Sequence, residues 1–193
     1  MQINIPQLYR IFQKYRKIST DSRQIVPGSL FFALKGEQFD GNRFSADALK
    51  KGAAFAVVDD KRLAGKKDHL LVDHVLETLQ KLAIYHRDKL NIPVIGITGS
   101  NGKTTTKELI SRVLAKKYNT FATTGNLNNH IGVPLSILDI DSTHEIAVIE
   151  MGANQQGEIA FLCNISRPHY GLVTNIGKAH LEGFGGYEGV IKA

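Results

Sequence analysis

The sequence has a single cysteine, Cys163, in 193 residues. That excludes an internal disulfide and any metal site built on a cysteine cluster. Long apolar runs are also missing, because Lys, Arg, Asp or Glu interrupts each one before it reaches the length of a membrane span. The start, Met1 to Pro6, has neither the basic leader nor the apolar stretch of a secretory signal. A cytoplasmic location with no membrane partner is therefore expected. There is no basic stripe interleaved with aromatics. The net charge of +6, with doublets at Arg16–Lys17, Lys61–Arg62, Lys66–Lys67 and Lys116–Lys117, suits small anionic ligands without invoking nucleic acid. Hydrophobic content of 42% and charged content of 22% fit a globular chain of one large or two small domains.

Extended and helical patterns alternate along the whole chain. Pro6 to Tyr15 reads as an opening helix, Ser29–Leu34 as a buried strand, Phe44–Lys51 as a helix, and Ala53–Val58 and Leu70–Val72 as strands. Asp73 is positioned to cap a helix whose Val75, Leu79, Leu82, Ala83, His86 and Leu90 share one face. On that stripe His86 reads as a core or boundary residue. Pro93 ends this pattern, and the domain boundary is placed there: residues 1–90 form one domain and 91–193 the next. Beyond it, strands are expected at 93–98, 118–122, 145–150 and 170–174. Helices are expected at 103–116, 131–138, 156–163 and from Tyr187 onward. The fold class is α/β, a small first domain followed by a parallel-sheet domain. The last helix runs to Ala193 with no stop signal, so the second sheet is expected to be unfinished.

The richest stretch is Gly96–Thr106, GITGSNGKTTT, which follows a β-branched strand and opens a helix. Gly99 and Gly102 let backbone N–H groups close around phosphate oxygens where a side chain would collide. Ser100, Asn101, Thr104 and Thr105 complete the cradle, and the helix N-terminus adds unpaired N–H groups. Lys103 would reach the β- and γ-phosphates of ATP, and the Thr104 hydroxyl would hold Mg²⁺. A strict phosphate-loop pattern has glycine at the position of Ile97; here it sits one place earlier, at Gly96.

Three further groups lie at the ends of expected strands, where open α/β sheets carry their sites. Thr123–Pro134 is a polar loop in which Asn126, Asn128 and Asn129 offer uncharged amides; an Asn- and Gly-rich turn of purely backbone origin is the alternative. Glu150 ends the apolar run Glu145–Ile149, where a phosphoryl-transfer site needs a Mg²⁺ ligand; a solvent-facing strand end is the alternative. Thr174–His180 follows another apolar strand, and His180 could take a metal or a phosphate.

These segments together resemble the ATP-dependent Mur ligases of peptidoglycan synthesis. The motifs that carry the resemblance are Gly96–Thr106, Gly125–Pro134, Glu150–Asn154 with Gly157–Ile159, and Thr174–Glu182. In the first half they are Thr20–Arg23, Pro27–Ala33 and Gly36–Gly41. The resemblance spans nearly the whole chain. It implies a uridine-nucleotide domain in the first half, with Thr20, Ser22, Arg23, Glu37, Gln38 and Phe39 contacting UDP-N-acetylmuramoyl-tripeptide. It further implies an amide ligase, with ATP phosphorylating the tripeptide carboxylate and D-alanyl-D-alanine attacking the acyl phosphate. Lys103 would hold phosphates, Thr104 and Glu150 a first Mg²⁺, and His180 a second; Asn126 and Asn129 would meet substrate. The family's carbamylated lysine would fall just past Ala193, so these residues alone are expected to be inactive, and the expected partners are small molecules bound by a monomer. Another amide ligase of the superfamily, or a non-catalytic nucleotide-binding module, remains open.

Overall fold

The computed structural model describes residues 2–192, so Met1 and Ala193, the final residue of the expected last helix, lie outside it. The chain divides into two compact units, one up to Tyr85 and one from His86. In the first, α1 spans Ile5–Tyr15. The Asn4 side chain accepts from the Gln7 N–H while the Gln7 side chain accepts from the Asn4 N–H, and Pro6 sits in the first turn, where its missing N–H costs nothing. Then come β1 (Ile18–Ser19), β2 (Leu30–Phe32), a hairpin of β3 (Lys35–Gly36) and β4 (Phe39–Asp40), α2 (Ser45–Lys50), β5 (Phe55–Val58), β6 (His69–Leu71) and α3 (Val75–Arg87), whose last two residues belong to the second unit.

Strands β1, β2, β5 and β6 form a four-stranded parallel sheet in the order β1-β2-β5-β6. All of β2 is buried, as a parallel sheet covered on both faces requires. Phe31 packs there with Ala33, Ala48, Ala56 and Val58, and Leu49 and Leu71 close over them. Two features depart from the sequence expectation. β1 and the β3–β4 hairpin were not anticipated, because two-residue strands carry no alternation to read. Nor does Asp73 serve the first N–H of α3: Asp59 Oδ2 accepts from Val75 N at 3.3 Å, and Asp73 Oδ1 instead accepts from Gln2 at 2.6 Å.

The second unit runs β7 (Val94–Thr98), α4 (Lys103–Leu114), β8 (Thr120–Ala122), α5 (Gly132–Asp139), β9 (Ile146–Glu150), α6 (Glu158–Ser166), β10 (Tyr170–Val173), α7 (Leu181–Phe184) and α8 (Tyr187–Lys192). Its four strands are parallel in the order β10-β7-β9-β8. The chain steps from β7 outward to β8, then back through β9 to β10 on the far side of β7. With right-handed crossovers, α4 covers one face while α5 and α6 cover the other. Val94, Ile97, Ala147, Val148 and Ile149 fill the centre of the sheet.

His86 is buried, with Nε2 2.8 Å from the Ile140 carbonyl, as expected of a core histidine. Arg87 donates to the Ser166, Arg167 and Leu90 carbonyls and so satisfies the carboxyl end of α6. Burial pulls its pKa below the usual guanidinium value. Among the described residues no helix is long and apolar enough to cross a membrane.

Because Phe31 is 1% exposed at the centre of the first unit's core, Phe31→Ala should lower stability. A loss of about 3–5 kcal/mol is expected, read as a fall in the urea midpoint at unchanged slope.

Candidate functional site

Parallel pairing brings the carboxyl ends of β7, β8, β9 and β10 to one edge of the second sheet, and all four polar loops leave from there. β7 gives way to Gly99 (φ 131°) and Gly102 (φ 78°), both in backbone regions that side chains resist. A Cβ on Gly99 would meet Thr174 Oγ1 and lie 3.0 Å from Asn175 N and O. Thr174 Oγ1 donates to the Asn101 carbonyl at 2.6 Å. Ser100 N donates to the Asn175 carbonyl at 3.1 Å, and Asn101 N to Asn175 Oδ1 at 3.0 Å. Gly177 N donates to Ser100 Oγ at 2.9 Å. The loop after β10 therefore grips the loop after β7.

Lys103 turns its ammonium back onto that loop, donating to the Gly99 carbonyl at 2.6 Å and the Ser100 carbonyl at 3.4 Å. Thr104 and Thr105 lie exposed in the first turn of α4, which has no side-chain cap. Free N–H groups, a cation and hydroxyls at a helix N-terminus make an anion site.

Glu150, the last residue of β9, is 2% exposed. Its Oε1 accepts from Asn128 Nδ2 at 2.8 Å, and its main-chain N donates to Thr123 Oγ1 at 3.0 Å. Oε2 is buried without any hydrogen-bond partner among the described residues. A carboxylate oxygen so placed loses its hydration and gains nothing back, unless a cation or a ligand donor completes it. No group of three or more His, Cys, Asp or Glu able to hold a metal occurs among the described residues. A lone carboxylate fits a hard cation that takes its other ligands from water and phosphate oxygens; a zinc-type cage does not fit.

His180, at φ 49°, sits at the N-terminus of α7. It lines a cavity of about 210 Å³ together with Thr98, Ser100, Lys103, Ile159 and Asn175. Asn129 uses Oδ1 to accept from Ile131 N and Gly132 N at 3.0 and 2.9 Å, which starts α5 and leaves its Nδ2 as the group available to a ligand. Asn126 is exposed.

In the first unit, Glu37, Gln38 and Phe39 form the exposed tip of the β3–β4 hairpin, with the Phe39 ring lying over Gly36. The hairpin base is tied down by Asp59, which accepts from Lys35 Nζ at 2.7 Å and Asn42 Nδ2 at 2.8 Å. Burial works to raise the Asp59 pKa, but the Lys35, Asn42 and Val75 hydrogen bonds outweigh it and hold the pKa below the usual value. Arg23 grips Asp21 through Nε at 2.9 Å and Nη2 at 2.7 Å, which lowers the Asp21 pKa to about 2. The Ser22 carbonyl accepts from Lys51 Nζ at 2.8 Å, and Thr20 is half-buried just past β1.

Sequence reasoning singled out neither Thr123 nor Lys107 as a site residue, and of the loop amides it assigned Asn126 and Asn129 to substrate but not Asn128. Asn128 is distinguished by its hydrogen bond to Glu150 Oε1 from the loop after β8, a contact between residues 22 apart that only the fold brings together.

Two predictions follow from this geometry. Gly99→Ala should cost roughly 1–3 kcal/mol and raise hydrogen exchange in both the 99–102 and 174–177 loops, because the added methyl forces them apart. Asp59 has a depressed folded pKa, so its contribution is complete above the unfolded value of 3.8 and disappears as pH falls through the folded value. The stability gap between wild type and Asp59→Asn should accordingly narrow below about pH 4, as measured by urea midpoints across pH 3–7.

Comparison with known proteins adds a family. Residues 97–193 match the Mur ligase middle domain, and residues 14–95 match the Mur ligase family catalytic domain. UDP-N-acetylmuramoyl-tripeptide–D-alanyl-D-alanine ligase of Bacillus subtilis is 43% identical over 179 residues, covering 91% of this chain and 39% of that protein. The Escherichia coli protein of the same name is 44% identical over 176 residues, with the same coverage of 91% and 39%. The chain thus spans about two-fifths of the length of these curated relatives. Among solved structures, MurF from Acinetobacter baumannii superposes with a TM-score of 0.88 at 38% identity, over 100% of this chain and 45% of that one. MurF from Thermotoga maritima in complex with ADP gives 0.82 at 40% identity, over 92% and 41%.

Proposed function

The chain belongs to the Mur ligase family, and from that premise we propose that it supplies the UDP-sugar-binding and ATP-binding parts of an ATP-dependent amide ligase. The proposed reaction joins D-alanyl-D-alanine to UDP-N-acetylmuramoyl-tripeptide in the synthesis of a peptidoglycan precursor. The observation that carries it is the buried, unpartnered Oε2 of Glu150 on the same sheet edge as the Lys103 loop. A carboxylate oxygen with no donor beside a phosphate cradle would be completed by the magnesium ion that accompanies a bound triphosphate.

In this reading residues 1–90 bind the UDP-sugar and residues 91–193 bind ATP. Thr20, Ser22, Arg23 and the hairpin tip Glu37–Phe39 contact the UDP-linked peptide. Gly99–Thr105 enclose the phosphates, and Lys103 exchanges the Gly99 and Ser100 carbonyls for phosphate oxygens. Thr104 and Glu150 would hold one Mg²⁺ and His180 a second. Bound there, magnesium would neutralise charge on the phosphoryl oxygens. Asn126 and Asn129 meet substrate through their amides. An oxygen of the tripeptide carboxylate attacks the γ-phosphorus as the bond to ADP breaks. The dipeptide amine then attacks the carbonyl carbon of the acyl phosphate, loses a proton, and phosphate leaves. The protein's part is to place these groups and balance their charge.

Lys103→Ala should weaken nucleotide binding by about 1.5–3 kcal/mol, on the order of 10- to 150-fold, with circular dichroism unchanged. Equal affinity in calorimetry would remove the phosphate-loop assignment. The substrates are tested by phosphate release from ATP in the full-length protein. Release should require both UDP-N-acetylmuramoyl-tripeptide and D-alanyl-D-alanine, and dependence on a different amine would redirect the reading to another amide ligase.

A further inference from the structure

Lys107 is a lysine where lysines are seldom found. It lies one turn after Lys103 on α4, is 2% exposed, and ranks among the largest fully buried side chains of the protein. Its ammonium donates to the Thr123 carbonyl at 2.6 Å and lies 3.0 Å from Glu108 Oε1, a carboxylate that is itself half exposed. A buried ammonium is costly unless its charge and its protons are used. Packing alone would be served better by leucine or methionine.

Thr123 shows where that charge is directed. It is 1% exposed and extends β8 by one residue, its N–H donating to the Val148 carbonyl of β9. Its carbonyl receives Lys107, and its hydroxyl receives the main-chain N–H of Glu150. Lys107, Thr123 and Glu150 thus form one buried chain of hydrogen bonds. The ammonium does not take Glu150 Oε2, which has no hydrogen-bond partner, while Asn128 holds Oε1. A lysine serving simply as the counter-ion of Glu150 would have closed that oxygen. Here the cation anchors the strand end behind the carboxylate and leaves Oε2 without a partner.

We propose that Lys107 is a positioning residue for metal-dependent nucleotide binding, acting through Thr123 to hold Glu150 in its ligating position. This rests on the assignment of Glu150 as a magnesium ligand at an ATP site. Residues that orient a metal ligand from behind typically change metal affinity by about 10- to 100-fold when removed.

The test titrates magnesium into the protein with a fluorescent ATP analogue and reads the half-saturating metal concentration. Lys107→Met, nearly isosteric and uncharged, should raise that concentration about 10-fold or more. Thr123→Val, which removes the hydroxyl that receives Glu150 N, should do the same, and the double variant should be little worse than either alone. Lys107→Arg, which keeps charge and donors, should recover most of the wild-type response. Thermal midpoints are measured in parallel, because a residue that merely packs would shift them without moving the magnesium requirement. Both single variants matching wild type in magnesium dependence, whatever their melting temperature, would overturn the proposal. If Lys107→Met does not fold, Thr123→Val decides by the same criterion. Wild-type protein that binds the analogue equally with and without magnesium would instead overturn the underlying metal assignment, and this proposal with it.

Discussion

Glu150 is a buried charge whose two oxygens are treated differently, and much of the second unit is arranged around that difference. Asn128 reaches across from the loop after β8 to take one oxygen, and its carbonyl also receives Gly152 N at 2.8 Å. A Cβ on Gly152 would lie 3.2 Å from the Asn128 amide, so the backbone after β9 is kept bare to let this side chain lie flat. Thr123 holds the main chain of Glu150 from the other side. One carboxylate oxygen is held by Asn128, the main chain is held by Thr123, and the other oxygen has no partner. Desolvating a carboxylate in this way is unfavourable in isolation, so the stability of α5, β8 and β9 has to be sufficient to hold it.

The parallel register explains how such distant residues meet. The Gly99–Lys103 loop, the Asn-rich loop, Glu150 and the Thr174–His180 loop are separated by tens of residues in the chain. Four parallel strands nevertheless end side by side. β7 is flanked by β9 and β10, so the loops after all three can touch, and those after β7 and β10 are joined by hydrogen bonds through Thr174, Asn175 and Gly177.

Most of this arrangement was legible in the sequence wherever one residue type has a single physical use. Gly99 and Gly102 before Lys103 announced a backbone that must turn and approach closely, and an apolar run ending in Glu150 announced a carboxylate at a strand tip. What escaped was decided by register and by long-range pairing. Two-residue strands such as β1 and β3 lack a period, and α7 is a single turn opened by His180 in a left-handed conformation. Lys107 sits in a stretch of Thr, Lys and Glu that reads as a solvated helix face, and only its place over Thr123 makes it interior. The Asp59 hub was equally hidden, since Lys35, Asn42 and Val75 come from three separate segments.

The Ser100 and Asn101 N–H groups are already engaged by Asn175, and the Lys103 ammonium by loop carbonyls. An anion that claims these donors must evict the groups now using them, so its affinity is the difference between two satisfied sets of bonds. A lone orthophosphate would have to replace the Asn175 contacts with its own. A longer anion that also reached the Lys103 ammonium would make a contact Asn175 cannot imitate. The loop therefore carries its own internal competitor, which any anion bound there has first to displace.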